Sequence, residues 1–131
     1  MTQVQSWKRA PFTIERIDGK ATGTVIIRFS GPFTAANMFE SLPPVTLRNM
    51  LDFKSTPSDE SPILNILDLT DVPYIDSTGL GTIVSHYVHC RGRGIRFVAA
   101  GASPRVLELF KVTKVDGFLP MTATVEEADT K

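Results

Sequence analysis

The chain has 131 residues, with fourteen basic and fourteen acidic side chains, a formal net charge of zero at pH 7 and 42% hydrophobic residues. That length suits one domain with its own core, and the balanced charge lacks the basic surplus that a nucleic-acid surface needs. The single Cys90 excludes an internal disulfide and fits a reducing compartment, and no apolar run approaches the roughly twenty residues of a membrane helix.

Residues 1–7 are polar and lack the apolar core of a signal peptide, so a soluble cytoplasmic domain is expected, with no membrane insertion. Residues 1–11 read as an N-terminal extension in which Trp7 covers an edge of the core, and the domain itself as residues 12–131. Phe12-Thr13-Ile14-Glu15-Arg16-Ile17 alternates apolar and polar as a half-buried strand does, and Asp18 to Gly23 is a turn. Val25 to Phe29 reads as the second strand of a hairpin. After Ser30-Gly31-Pro32 a helical pattern starts near Thr34 and carries Met38, Leu42, Val45, Leu47 and Leu51 inward. Pro43-Pro44 breaks it, because proline lacks the N–H and clashes with the preceding turn. Lys54 to Ser61 is a polar, breaker-rich loop.

Ile63 to Leu69 is a near-continuous apolar run, as expected of a buried central strand. A short loop leads to Asp76-Ser77-Thr78-Gly79-Leu80-Gly81, which opens a helix reaching about Arg91. Leu80, Ile83, Val84, Tyr87 and Val88 recur at helical spacing and are expected to face inward, with His86 and His89 on the solvent side. Gly92 and Gly94 supply a left-handed stop. Ile95 to Ala100 is a fourth strand. Ser103-Pro104 is an N-cap with proline at the first helical position, starting a helix over Arg105 to Lys111. A short strand near Phe118-Leu119 and a terminal helix from Thr124 follow. Strand–helix–strand units after a hairpin predict a single α/β domain. Its central sheet is mostly parallel, of about four to five strands, with helices packed against it. The Ser30–Phe33, Asp68–Ser77 and Gly101–Ser103 loops all leave carboxyl ends of strands, where such sheets gather their contacts.

Ser77 lies at the helix start, where unpaired N–H groups and the positive end of the macrodipole favour negative charge, so its hydroxyl is suited to carry a phosphate. Residue chemistry alone favours the plainer reading, an N-cap beside two small residues. Other constellations are less complete. Asp-Ser-Thr-Gly is one residue out of register with the aspartic-protease signature, and no Gly-x-Ser-x-Gly surrounds Ser77. His86, His89 and Cys90 lack further ligands for a metal, and Asp68 lacks the acidic pair of a receiver domain. Arg91, Arg93 and Arg96 cluster at a helix end, where cations suit the dipole; a solvated terminus and an anion or partner contact both fit.

The run Ile66-Leu67-Asp68-Leu69 with Val72 to Gly81, and the later Arg93 to Phe110, resemble the STAS domain family of anti-sigma factor antagonists. The resemblance covers Ile63 to Ala128 and extends from Phe12. It implies a protein-binding domain, not an enzyme, with no cofactor and no metal. In bacterial members the Ser directly after the Asp is phosphorylated by a partner anti-sigma factor that is itself a serine kinase. That position is Ser77 here, and the unphosphorylated form sequesters the partner and frees the sigma factor. By the same resemblance Asp76, Thr78, Gly79, Leu80 and Gly81, with Gly31, Phe33 and Thr34 of the neighbouring loop, form the partner-binding surface. The family also includes constitutive scaffolds and lipid-transport or small-molecule modules without phosphoswitching; a homodimer also stays open. Many members have an acidic loop after the second strand, whereas this chain reads Gly31-Pro32-Phe33-Thr34, and Lys114 stands where a glycine often ends the third helix.

Overall fold

In the computed structural model, which describes residues 12–37 and 63–129, the hairpin pattern forms β1 (Thr13–Asp18) and β2 (Thr24–Ser30), antiparallel from Thr13↔Ser30 to Asp18↔Val25. The central strand β3 (Leu64–Asp71) leads to α1 (Ser77–Gly92), β4 (Arg96–Ala100) and α2 (Pro104–Val112). A 3₁₀ turn at Val115–Gly117, β5 (Met121–Thr122) and α3 (Val125–Asp129) follow. The sheet order is β1-β2-β3-β4-β5, and every pairing after the hairpin is parallel. This is the mixed, hairpin-led sheet that the strand–helix alternation predicts. Residues 35–37 are helical. The rest of the helix expected through Met38 to Leu51 with its break at Pro43-Pro44, the Lys54–Ser61 loop and the extension with Trp7 lie outside the described residues.

β3 runs through the middle, and its first six residues are buried because both faces of the sheet are covered. On one face Ile27, Phe29, Leu67, Leu69 and Phe97 pack under Ile83 of α1 and Val106 and Phe110 of α2. On the other, Ile26, Leu64, Ile66 and Ala100 pack against Ala128 of α3. Asp129 holds α3 in place by accepting the Lys20 N–H of the hairpin turn on both carboxylate oxygens, at 3.1 Å each.

Three local expectations are corrected. The buried residues of α1 are Gly79, Ile83, His86 and Cys90, while Val88 is 59% exposed. Leu80, Ile83, Val84 and Tyr87 pack on the core as expected, but the inward stripe is widened on one side so that His86, expected in solvent, faces the sheet. Its polar ring is tolerated there because Asn65 of β3 offers a partner. The last strand is Met121–Thr122 and not Phe118-Leu119, because Lys114 takes φ 65° and the chain first makes the 3₁₀ turn. At the end of α1 only Gly94 is left-handed, at φ 75°; Gly92 stays helical, and the Ile95 N–H closes back on the Cys90 carbonyl at 2.8 Å.

Candidate functional site

The carboxyl end of β3 is sewn to the loop that leaves β2. Gly31 N–H donates to the Asp71 carbonyl at 3.0 Å, Phe33 N–H to that of Tyr74 at 3.0 Å, and Asp76 N–H to that of Phe33 at 3.3 Å. A parallel bridge, Phe33↔Ile75, continues the sheet beyond its named strands. The Phe33 ring anchors this seam: it is fully buried, stacked on Phe12 at 4.9 Å and edge-on to Phe29 at 4.7 Å.

Asp76 completes the junction. Its Oδ1 accepts the Gly79 N–H at 2.9 Å, which makes Asp76 the N-cap of α1, and its Oδ2 accepts the Ala35 N–H at 3.0 Å. One carboxylate therefore ties together two helix starts. Thr34 caps the second of them, its Oγ1 accepting the Asn37 N–H at 3.1 Å, while Asn37 reaches back to the Pro32 carbonyl at 2.9 Å. At Gly79 there is room for hydrogen only, since a Cβ would collide with the Phe33 carbonyl oxygen. Gly81 faces open space.

Ser77 is thus the first residue of α1 and not its cap, a correction to the capping alternative. It is exposed, as are Thr78 and Gly81, and its hydroxyl meets no hydrogen-bond partner among the described residues. Asp76, Leu80, Gly31 and Thr34 are half-buried around it. Phe33 and Gly79, the other two positions of the expected binding surface, are buried beneath these residues. The third loop also joins. Arg105, the second residue of α2, lies over the Tyr74 ring at 4.7 Å, and Tyr74, Ile75, Arg105, Glu108, Leu109 and Val112 line an open groove of about 310 Å³. Ser103 caps α2 as its sequence predicts, accepting the Val106 N–H at 3.3 Å.

Asp68 stands apart from this surface. It is buried, paired through Oδ2 with Arg28 Nε at 3.0 Å, and accepts the Thr70 N–H at 3.0 Å on Oδ1. Its hydrogen bond raises the pKa of the Arg28 guanidinium further, and Arg28 also reaches Glu15 at 3.7 Å. The carboxylate that resembled a receiver acceptor is an ion-pair partner in a rung across three strands.

The residues weighed as metal ligands form a different structure. His86 Nε2 lies 2.6 Å from Asn65 Oδ1, Asn65 Nδ2 donates to the Val25 carbonyl at 3.0 Å, and Cys90 Sγ sits 3.6 Å from His86 Nε2. Because the amide oxygen only accepts, Nε2 carries a proton. Burial, and secondarily the charge of His89, lowers the His86 pKa to about 4, so the ring is neutral near pH 7. Burial raises the Cys90 thiol to about 11. Asn65 is the member that sequence patterning misses; its only signal is an amide inside the apolar run Pro62 to Leu69.

Comparison with known proteins agrees with this architecture. A family model described as the STAS domain matches residues 17–128. The anti-sigma-B factor antagonist of Listeria monocytogenes is 45% identical over 47 residues, 36% of this chain and 41% of that protein, so the match spans less than half of the relative's length. The crystal structure of an anti-sigma factor antagonist from Mycobacterium paratuberculosis superposes with a TM-score of 0.69 at 22% identity, covering 94% of this chain and 97% of that one. A sulfate transporter family protein from Wolinella succinogenes superposes with a TM-score of 0.67 at 21% identity, covering 84% of each chain. Among the described residues no helix is long and apolar enough to cross a membrane.

Proposed function

The chain belongs to the STAS domain family, and from that membership we propose that it is an anti-sigma factor antagonist switched by phosphorylation of Ser77. In this reading the unmodified Ser77 surface docks an anti-sigma factor with serine kinase activity, and the docked complex frees a sigma factor in the cytoplasm. The observation that carries the proposal is the state of Ser77. Its hydroxyl is exposed at the first residue of a 16-residue helix, while Asp76 performs the capping. A kinase can therefore modify Ser77 without withdrawing a group the fold uses.

Phosphorylation adds about −1.5 to −2 charge at pH 7. The charge would sit beside Asp76, whose oxygens already take the Gly79 and Ala35 N–H groups, so the helix start has less to offer it than an uncapped terminus would. Repulsion and the bulk of the solvated phosphate then act on the partner and not on the core. A penalty of about 1.4 kcal/mol is a tenfold loss of affinity, within reach of one repelled carboxylate. The role of the Listeria relative as an anti-sigma-B factor antagonist supports this reading over a constitutive scaffold.

The test is phosphorylation by the cognate anti-sigma factor kinase with ATP, followed by mass spectrometry of tryptic peptides. One phosphate on Ser77 is expected. Phosphate on Thr78, or none from a kinase that binds the domain, contradicts the proposal.

A further inference from the structure

At the opposite end of α1 the sheet has an incomplete edge. β5 is two residues long and pairs only with Ala99 and Ala100 of β4. Ala99 N–H donates to the Pro120 carbonyl at 2.9 Å and Gly101 N–H to that of Thr122 at 3.2 Å. In a parallel ladder, groups two residues apart point the same way, so the Phe97 N–H and C=O face this same edge. Continuing the ladder would require an N–H at Pro120, and proline has none. The chain before it turns away through the 3₁₀ turn, and among the described residues no acceptor meets the Phe97 N–H. The pair of backbone groups opens on a groove of about 370 Å³ whose lining includes Arg91 on the helix face and Arg96 on the other, with no acidic residue. Both arginines are exposed, and Phe118, 49% exposed and 5.9 Å from the Tyr87 ring, adds apolar surface nearby.

We propose that this edge of β4 is a second docking site, which takes an extended acidic segment of a partner protein as an added strand. The backbone groups of Phe97 supply the ladder, and the arginines flanking it on both faces select carboxylates. A second copy of the chain is a poor occupant, because pairing two β4 edges would bring arginines against arginines. The site lies a full helix length from Ser77, about 24 Å at 1.5 Å per residue for the 16 residues of α1. Both sites can therefore be filled at once, whether or not Ser77 carries a phosphate.

Fluorescence anisotropy with a labelled eight-residue peptide of equal Val and Glu content tests this on the full chain. Binding is expected, with at least a tenfold weaker Kd for the Arg91→Glu/Arg96→Glu variant, whose circular dichroism should match the parent. Two versions of the peptide, N-methylated on alternate amides in one phase or the other, separate strand addition from simple charge attraction. One phase should abolish binding and the other keep it, and hydrogen exchange of the Phe97 amide should slow in the complex. Equal binding of a Val/Lys peptide, or equal behaviour of the two methylated peptides, overturns the proposal. So does a Phe97 amide already protected in the free protein. Protection independent of concentration would assign the edge to the chain itself, and protection that rises with concentration would assign it to a second copy.

Discussion

The two ends of α1 are built on opposite terms. At the start, Asp76 meets the Gly79 and Ala35 N–H groups and the Phe33 carbonyl is pressed against Gly79, so the helix is locked to the next loop. At the finish, Arg91, Gly92, Arg93 and Gly94 are all exposed, a Cβ at Gly92 or Gly94 would meet nothing within 4 Å, and the adjoining β4 edge is unpaired at Phe97. The difference teaches where a modification can act as a signal. A charge added to a locked platform has no slack in which to be absorbed locally, so its effect passes to whatever is docked on it. A sheet edge with free backbone groups, by contrast, is a place where affinity can be built.

The largest expected effect breaks the lock. Gly79→Ala forces a methyl group against the backbone carbonyl of Phe33 and the Ile75 side chain, and because the carbonyl cannot rotate away the collision is relieved only by separating the two loops. A loss of about 3 kcal/mol in urea unfolding is expected, at the upper end for overpacking. A loss below about 1 kcal/mol, the lower end of that range, would mean that the loops are less tightly joined than the contact implies.

Between the two ends, His86 gives α1 a pH dependence of known sign. Its folded pKa is about 4, below the ordinary 6.5, so as pH falls the unfolded chain takes up the proton first. Its contribution is complete above about 6.5 and is lost between there and about 4, amounting to about 3 kcal/mol for the full shift. Thermal melts across that range should show the loss in the parent and a flatter profile in His86→Gln. An unchanged profile would place the titration elsewhere.

A smaller effect of opposite sign sharpens the contrast. At Gly81, two residues beyond Gly79, an added methyl group would meet nothing within 4 Å, so Gly81→Ala should stabilise the helix by about 0.5–1 kcal/mol. Two glycines of one motif should thus respond in opposite directions, and a melt of each variant checks it.

Much of this was legible in the residues. The hairpin, the apolar β3, the Ser103-Pro104 start and the placement of Ser77 at a helix start follow from period and capping chemistry acting locally. What was not legible depends on pairs distant in sequence. Ser77 and Asp76 are both good N-caps, and the choice of Asp76 is shared with Ala35, 41 residues away. His86 reads as a solvent-side residue until Asn65, on the strand beneath α1, supplies its partner. Phe33 looks like a surface substitution for an acidic loop, yet it closes a three-ring cluster with Phe12 and Phe29. The late position of β5 follows from the left-handed Lys114, a conformation that a lysine side chain does not advertise.

The most direct test of the proposed Ser77 switch is calorimetric titration of the cognate anti-sigma factor kinase with the parent and with Ser77→Asp, each accompanied by a thermal melt. Because Ser77 is exposed and Asp76 keeps the cap, Ser77→Asp should keep its stability to within about 1 kcal/mol. Its dissociation constant should rise tenfold or more, a loss of about 1.4 kcal/mol. A folded Ser77→Asp that binds as tightly as the parent would contradict the switch, and one that unfolds would contradict the exposed, unengaged hydroxyl on which the switch depends.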